Sequence, residues 1–228
     1  MKVADFICIG AQRAGTTWLF ENIRHHPGVS MRTKELDYFI SDRNAEWYSR
    51  QFTGSDGRLC GDISPNYGAK VGLAKRIHEL CPNAQIVYLL REPAARAFSQ
   101  WKMARGLGVI PKTVTFRQAF TDDLRRIRTK GEYYSFVREY TPLYPLNSRF
   151  KVFWHDDIAK RPNSMFREFQ IFIGADPERI APALGRIVNA PADGQSMSED
   201  DYKNARNYYA GSDRELRRVL NLSSLPWD

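Results

Sequence analysis

The chain has 228 residues, 43% of them hydrophobic, enough to bury one sizeable core. Its net charge of +8 attracts polyanions of any kind, whether nucleic acid, nucleotide, anionic membrane or sulfated sugar, and does not choose among them. Three cysteines, Cys8, Cys60 and Cys81, odd in number and without CxxC or Cys/His spacing, argue against a disulfide scaffold and structural zinc, and no apolar run approaches the roughly 20 residues that span a bilayer.

The first residues, Met1 to Ile7, enter an apolar strand without the long apolar core and cleavage site of a signal peptide. A cytoplasmic protein is expected, although a catalytic domain cut from a membrane-anchored parent reads the same way. Residues 5–10 form a short apolar run ending in glycine, as suits a strand buried on both faces. Thr16 to Ile23 then carries Leu19, Phe20 and Ile23 at helical spacing, and Pro27-Gly28 stops it. A helix is expected over Ala69 to Leu80, broken by Cys81-Pro82-Asn83, and Gln85 to Leu90 is the strongest strand signal of all. Pro93 starts a helix to about Met103, since proline is tolerated in a first helical turn.

Further helices are expected over Val114 to Arg128, Tyr133 to Tyr144 and Pro162 to Ile173, with a strand over Phe150 to Trp154. The tail from Ser198 to Leu222 has helical periodicity, with Gly211-Ser212 as a break and new cap. Alternating strands and helices predict an α/β fold, a P-loop-like three-layer sandwich with a central parallel sheet flanked by helices. No repeat, low-complexity tract or linker divides the chain, so a single domain over residues 1–228 is expected.

Gly10-Ala11-Gln12-Arg13-Ala14-Gly15-Thr16-Thr17 lies between the first strand and first helix. Strand ends of a parallel sheet are where ligands sit, and a helix N-terminus there offers amide donors and a positive dipole to an anion. The glycine spacing is that of a P-loop, but Thr16 stands where nucleotide-triphosphate hydrolases carry lysine, which argues against ATP or GTP hydrolysis. Arg13 sits inside the loop, where a guanidinium can bridge a 5′-phosphate and a group leaving it. The bland alternative is a glycine-rich turn with a solvated arginine. Arg91 leaves the strongest strand at the same sheet edge, and Ser99 follows eight residues later on the next helix. An arginine and a hydroxyl together make a second anion site, and two such sites imply a ligand phosphorylated at two places.

At these residues the sequence resembles the sulfotransferases dependent on 3′-phosphoadenosine 5′-phosphosulfate (PAPS), in particular the bacterial and carbohydrate-type branch that includes heparan sulfate sulfotransferases. Gly10 to Leu19 is similar to their 5′-phosphosulfate loop, Ile86 to Ser99 to their 3′-phosphate motif, Lys34 to Phe39 to their acidic segment and Gly61 to Tyr67 to their Ser/Thr-Pro-x-Tyr turn. Weaker similarity runs through Val152 to Ile158 and the end Leu225-Pro226-Trp227. The resemblance implies that Arg13, Ala14, Gly15, Thr16, Thr17 and Trp18 bind the 5′-phosphosulfate, that Arg91 and Ser99 bind the 3′-phosphate, and that the bisphosphate PAP is left as product. It also implies Glu35 as general base. The family often has lysine where Arg13 stands, which keeps the charge. Heparan sulfate members have lysine where Ile63 stands, and no counterpart of the late glycine-rich adenine loop is present, so adenine contacts stay unassigned.

Sulfuryl transfer to an acceptor hydroxyl, or as the lesser alternative an amine, proceeds in line while negative charge grows on the oxygen bridging to the 5′-phosphate. Arg13 and the helix N-terminus suffice to stabilise that charge, so no metal ion is required. Glu35 reads equally as a solvated carboxylate paired with Lys34 or Arg32. His25 and His26 rank below it as bases because they close a helix. Asp62 either orients the site, binds acceptor or caps Ser64-Pro65. Cys8, Trp18, Trp101 and Phe98 read as packing residues, and the basic run Arg125 to Lys130 as a solvated helix face. The region from Leu107 to Pro145 is expected to cover a small-molecule or carbohydrate acceptor, with Tyr133, Tyr134, Tyr140 and Trp47 either stacking on it or packed in the core. A kinase with a degenerate loop is the runner-up; a noncatalytic basic module lacks any nucleic-acid-binding signature, and no nucleic-acid partner is expected.

Overall fold

A computed structural model describes residues 1–179 and 195–228. Its sheet is parallel, in the order β2-β3-β1-β4-β5, from β1 (Phe6–Gly10), β2 (Val29–Ser30), β3 (Leu59–Ile63), β4 (Gln85–Leu90) and β5 (Phe150–Trp154). β1 is buried along its whole length, as its unbroken apolar run requires of a strand covered on both faces. The helices are α1 (Thr16–Ile23), α2 (Ala45–Arg50), α3 (Leu73–Leu80), α4 (Pro93–Gly106), α5 (Phe116–Thr121), α6 (Tyr133–Tyr140), α7 (His155–Lys160), α8 (Pro162–Ile173) and α9 (Glu199–Leu220). Among the described residues no helix is long and apolar enough to cross a membrane.

Successive strand residues point to opposite faces, and the helices are divided accordingly. On one face α8 sets Phe169 edge-on against Phe6 of β1 and Phe153 of β5, with ring centroids 5.9 and 6.0 Å apart. α1 joins that layer through Trp18, edge-on to Phe166. On the other face Tyr88 of β4 meets Tyr133 of α6, and its hydroxyl donates to the Gly68 carbonyl at 2.6 Å. A second apolar cluster, with Trp101, Phe116, Phe120 and Tyr209, welds α4, α5 and α9 together.

After β1 the chain runs to β2 and β3 on one side, whereas after β4 it runs to β5 on the other. Two connections that leave neighbouring strands in opposite directions open a crevice at their carboxyl ends, which is where ligands of open α/β sheets bind.

Four helical expectations need correction. The stretch Val114 to Arg128 is not one helix: α5 covers Phe116–Thr121, and Asp123, Arg125 and Arg126 take left-handed backbone with φ of 50°, 55° and 57°. The Asp123 carboxylate accepts from the amides of Arg128 and Thr129, offering them an alternative to helical carbonyls. The helix expected from Ala69 starts at Leu73, because Gly72 in left-handed backbone begins it after a tight turn over Tyr67–Ala69. α6 ends at Tyr140 because Pro142 has no N–H to continue the ladder. α9 runs unbroken through Gly211-Ser212, capped by Ser198, whose hydroxyl accepts from the Asp201 amide, with Glu199, Asp200 and Asp201 at its positive end and Arg217 and Arg218 at its negative end.

If Gly211 lies in a continuous helix, with nothing within 4 Å of where a Cβ would stand, Gly211→Ala removes backbone entropy from the unfolded chain at no steric cost. Thermal denaturation should show a gain of about 1 kcal/mol, a rise of roughly 2–4 °C in Tm. A fall in Tm would restore the break at this position.

Candidate active site

The loop after β1 occupies the crevice. Gly10 takes φ of 141°, and a Cβ there would stand 2.7 Å from the Pro65 carbonyl oxygen, so only glycine lets the loop pass. The Ala11 amide donates back to Leu89 of β4 at 2.6 Å, and Ala14 to Ala11 at 3.1 Å, closing the turn. Gly15, at φ 100°, begins α1, and the Leu19 amide donates to the Gly15 carbonyl at 3.1 Å. The amides of Gly15, Thr16 and Thr17 therefore precede the helical ladder, at its positive end.

A cavity of about 640 Å³ opens on this helix end, bounded by Arg13, Gly15, Thr16, Thr17 and Trp18 from the loop and by Arg91, Phe98, Ser99 and Met103 from the end of β4 and α4. Arg13 donates through Nε to Ser99 Oγ at 3.1 Å, and Arg91 donates to the Arg13 carbonyl oxygen at 3.2 Å. The two anion sites expected from the sequence are thus walls of one cavity. Tyr133 fixes the Arg91 backbone by donating to its carbonyl at 2.8 Å.

The charge in the cavity is one-sided. Arg13, Lys34, Arg91 and Lys102 line it as cations, and among the described lining residues Glu35 alone is an acid. Burial, and for Arg13 the charge of Arg91, hold both guanidinium pKa values below their usual range. His155, the first residue of α7, also lines the cavity. β5 runs in register with β4, with Trp154 opposite Leu90, so the residue after each strand, His155 and Arg91, meets at the same edge. Burial, and then Arg91, push the His155 imidazole down to about 4, which keeps it neutral at neutral pH.

Glu35 reaches the cavity from the other side. Its backbone lies in the left-handed region, φ 65°, its amide donates to the Ile63 carbonyl at the end of β3, and Lys34 Nζ holds its Oε1 at 2.6 Å. The carboxylate is therefore both paired with Lys34 and part of the cavity wall. Asp62 is fully buried behind it and accepts from Ser64 at 2.6 Å, Tyr67 at 3.0 Å and Tyr48 at 3.1 Å. Ser64 in turn accepts from the Asp37 amide, so Asp62 anchors the segment that carries Glu35. Burial raises Asp62 to about 6 against the pull of those three donors.

The remaining sequence candidates are placed as follows. Ala14 is buried behind the loop, its amide spent on Ala11, and it does not line the cavity. Trp18 is 3% exposed and serves both readings, packing on Phe166 and closing the cavity wall. His26 is buried away from the cavity, its ring bridging the Gly28 amide and the Asp176 carbonyl, and His25 is exposed beside Arg24. Tyr133 and Tyr140 are core residues, Trp47 lies under the Arg43 guanidinium, and none of these three nor Tyr134 lines the cavity. His155, Lys34, Lys102 and Met197 were not singled out by sequence reasoning as site residues. For His155 the signal was its place immediately after a strand, at the edge where Arg91 also stands.

The family model described as the sulfotransferase domain matches residues 71–216, more than half of the chain. The chain belongs to the sulfotransferase domain family. Among curated proteins it is 34% identical over 104 residues to the membrane-associated sulfotransferase kil1 of Dictyostelium discoideum, covering 42% of this chain and 22% of kil1. It is 26% identical over 178 residues to mouse heparan sulfate glucosamine 3-O-sulfotransferase 6, covering 74% of this chain and 51% of that protein. It thus spans about half or less of the length of these relatives. A sulfotransferase structure from Alicyclobacillus acidocaldarius shares the fold, with a TM-score of 0.85 at 21% identity and 98% of both chains covered. Mouse sulfotransferase SULT7A1 complexed with PAP superposes at a TM-score of 0.64, with 14% identity and 97% and 89% of the two chains covered. With these matches a kinase is not favoured.

One consequence of the His155 environment is measurable in this sulfotransferase-family chain without any ligand. Its folded pKa of about 4 lies below the ordinary 6.5, so between those values the unfolded chain takes up a proton that the folded chain refuses. The stability that His155 contributes is present above about pH 6.5 and is lost as pH falls toward 4. Urea denaturation of the protein and of His155→Gln should therefore give a stability difference that shifts against the unmutated protein on going from about pH 7 to about pH 5. A difference that does not change with pH would show that the ring is solvated.

Proposed function

We propose that the chain transfers a sulfuryl group from PAPS to the hydroxyl of a small-molecule or carbohydrate acceptor, without a metal ion. The observation that carries the reading is the single cavity in which Arg13 and Arg91 stand side by side at the head of α1. The residues fit a nucleoside phosphorylated at two places: two guanidiniums, a helix N-terminus and a hydroxyl, in a volume typical of small-ligand sites. Gly15, Thr16, Thr17 and Arg13 hold the 5′ end, and Arg91 with Ser99 holds the 3′-phosphate. Ser99 exchanges its contact with the Arg13 Nε for a phosphate oxygen. When bound, PAPS supplies a sulfuryl group already activated on a phosphate.

Glu35 accepts the proton of the acceptor hydroxyl as its oxygen bonds to sulfur, with Lys34 fixing the carboxylate at the wall. Arg13 and the α1 amides take up the negative charge left on the 5′-phosphate oxygen as its bond to sulfur breaks. The pairing of fixed cations with a helix end makes a divalent ion unnecessary for this charge. His155, neutral between Arg91 and Gly15, adds a hydrogen-bonding ring to the nucleotide side of the cavity. The carbohydrate part of the proposal draws on the heparan sulfate glucosamine named for the mouse relative. A cytoplasmic location belongs to the same proposal and rests on the three unpaired, buried thiols of Cys8, Cys60 and Cys81.

Two experiments check this reading. In thermal-shift measurements PAP should stabilise the protein, by about 2.7 kcal/mol at 100 times its dissociation constant, equally with and without chelator. Equal or greater stabilisation by magnesium-ATP would instead favour phosphoryl transfer. Glu35→Gln should bind PAP as the unmutated protein does and lose about 10²-fold or more in turnover with any acceptor that is sulfated. Near-normal turnover would exclude Glu35 as the base.

A further inference from the structure

Behind the phosphate loop lies a second cavity, of about 570 Å³, that shares Gln12 and Met103 with the first. Lys70, Arg125, Arg126 and Lys130 line it, and among the described residues no carboxylate lies within ion-pair distance of any of the four. Its walls also include Gln100, which ties it to a fifth charge: Arg96, fully buried, donates to Gln100 Oε1 at 2.7 Å and to the Ile127 carbonyl. Arg96 too has no carboxylate partner among the described residues, and its Nε is without a hydrogen bond. Asp123, whose charge is felt at Lys130, is occupied by the Thr129 hydroxyl and by the amides of Arg128 and Thr129.

Crowding of like charge is felt at Lys130. Burial, followed by Arg96, Arg126 and Arg125, pushes its ammonium down to about 8. Lys130 Nζ donates to Gln12 Oε1 at 2.8 Å, so the cationic cluster touches the residue next to Arg13. The segment carrying the two arginines is bent on purpose-built supports. Arg125 and Arg126 both take left-handed backbone, uncommon for residues with a Cβ, and Gln100 holds the Arg125 carbonyl while Arg96 holds that of Ile127. A regular helix over Val114 to Arg128 would instead have spread these arginines around its circumference.

The same cavity is also lined by the apolar Ile40, Met103, Leu107 and Val109. Leu107 is 70% and Val109 46% exposed, so the cavity rim presents large aliphatic side chains to water. Unneutralised cations together with uncovered aliphatic surface describe the complement of an amphiphilic anion.

We propose that this second cavity receives the acceptor and selects one bearing an oxyanionic group, carboxylate, sulfate or phosphate, on an apolar body. The inference rests on the sulfuryl-transfer reading only for the word acceptor; the preference for an amphiphilic anion stands on the cavity itself. Lys70, Arg125, Arg126 and Lys130 hold the oxyanion, the Leu107 and Val109 rim covers the apolar body, and Gln12 marks the passage toward Glu35 and the donor cavity.

Calorimetric titration of the PAP-saturated protein with octanoate and with octanol, the same chain with and without its charge, tests the selection. Octanoate should bind about tenfold or more tighter than octanol, and the preference should vanish in the Arg125→Gln/Arg126→Gln double variant while PAP affinity is retained. Lys130→Gln, which keeps an amide beside Gln12, should reduce the preference as well and covers the case in which the double variant does not fold. Equal binding of the two probes, or a preference that survives in the variants, overturns the proposal. A heparan sulfate tetrasaccharide that binds tighter than octanoate overturns its apolar half. Failure to bind PAP at all would remove the sulfuryl-transfer reading instead, and the same two probes titrated without PAP would still decide what the second cavity prefers.

Discussion

Two like charges held together at the head of a helix are the constraint on which the site depends. Arg13 and Arg91 come from loops after neighbouring strands, and the strand order makes those loops part and leave a crevice. Placing two half-buried guanidiniums there costs desolvation and repulsion, visible as lowered pKa values at both. Among the described residues neither guanidinium has a carboxylate in ion-pair contact, and the more distant Glu92 and Asp156 only partly counter the lowering at Arg91. Glu35 is the acid of the described lining residues, and it is engaged by Lys34. A bound anion would relieve the cost that remains, which is how a site acquires affinity for a doubly phosphorylated ligand.

The rest of the fold serves to hold that arrangement still. Gly10 lets the loop pass under Pro65, the Ala11 amide ties the loop to β4, and Tyr133 of α6 anchors the backbone of Arg91. On the Glu35 side of the cavity the buried Asp62 gathers Tyr48, Tyr67 and Ser64, and through Ser64 it fixes the segment leading from Glu35 to Asp37. Asp62 is therefore a scaffold for the segment that carries Glu35 rather than a group facing the cavity. Its folded pKa of about 6 lies above the ordinary 3.8, so its ionised form is held at a cost that the three donors limit.

Much of this was legible in the sequence because local pattern and tertiary role coincide. β1, β4 and β5 are apolar runs, and the glycine loop and Arg91 follow strands directly, so their convergence needed only the rule that parallel strands end on one edge. β3 was not legible, because Gly61 and Asp62 are poor strand residues: a Cβ at Gly61 would collide with the Phe6 ring, and the Asp62 carboxylate is satisfied by Tyr48 of α2 and by Ser64 and Tyr67 just beyond the strand. The basic run at Arg125 was misread as helical because its break depends on the Asp123 carboxylate and on Arg96 and Gln100 from α4. His155 carried no signal beyond its place after a strand, and its chemistry arises from burial against Arg91. Gly211 was misread in the opposite direction, since α9 is held on α4 and α5 by Tyr209 and Ala205 and tolerates one poor helix former.

The central claim is that one cavity grips a nucleoside at both phosphates, with Arg91 serving the 3′ end. Isothermal titration of PAP, adenosine 5′-monophosphate and adenosine 3′-monophosphate against the protein and Arg91→Ala tests it most directly. PAP should bind more tightly than either monophosphate, and Arg91→Ala should weaken PAP and the 3′-monophosphate while sparing the 5′-monophosphate. Equal weakening of both monophosphates, or PAP binding no tighter than the 5′-monophosphate, would contradict the account.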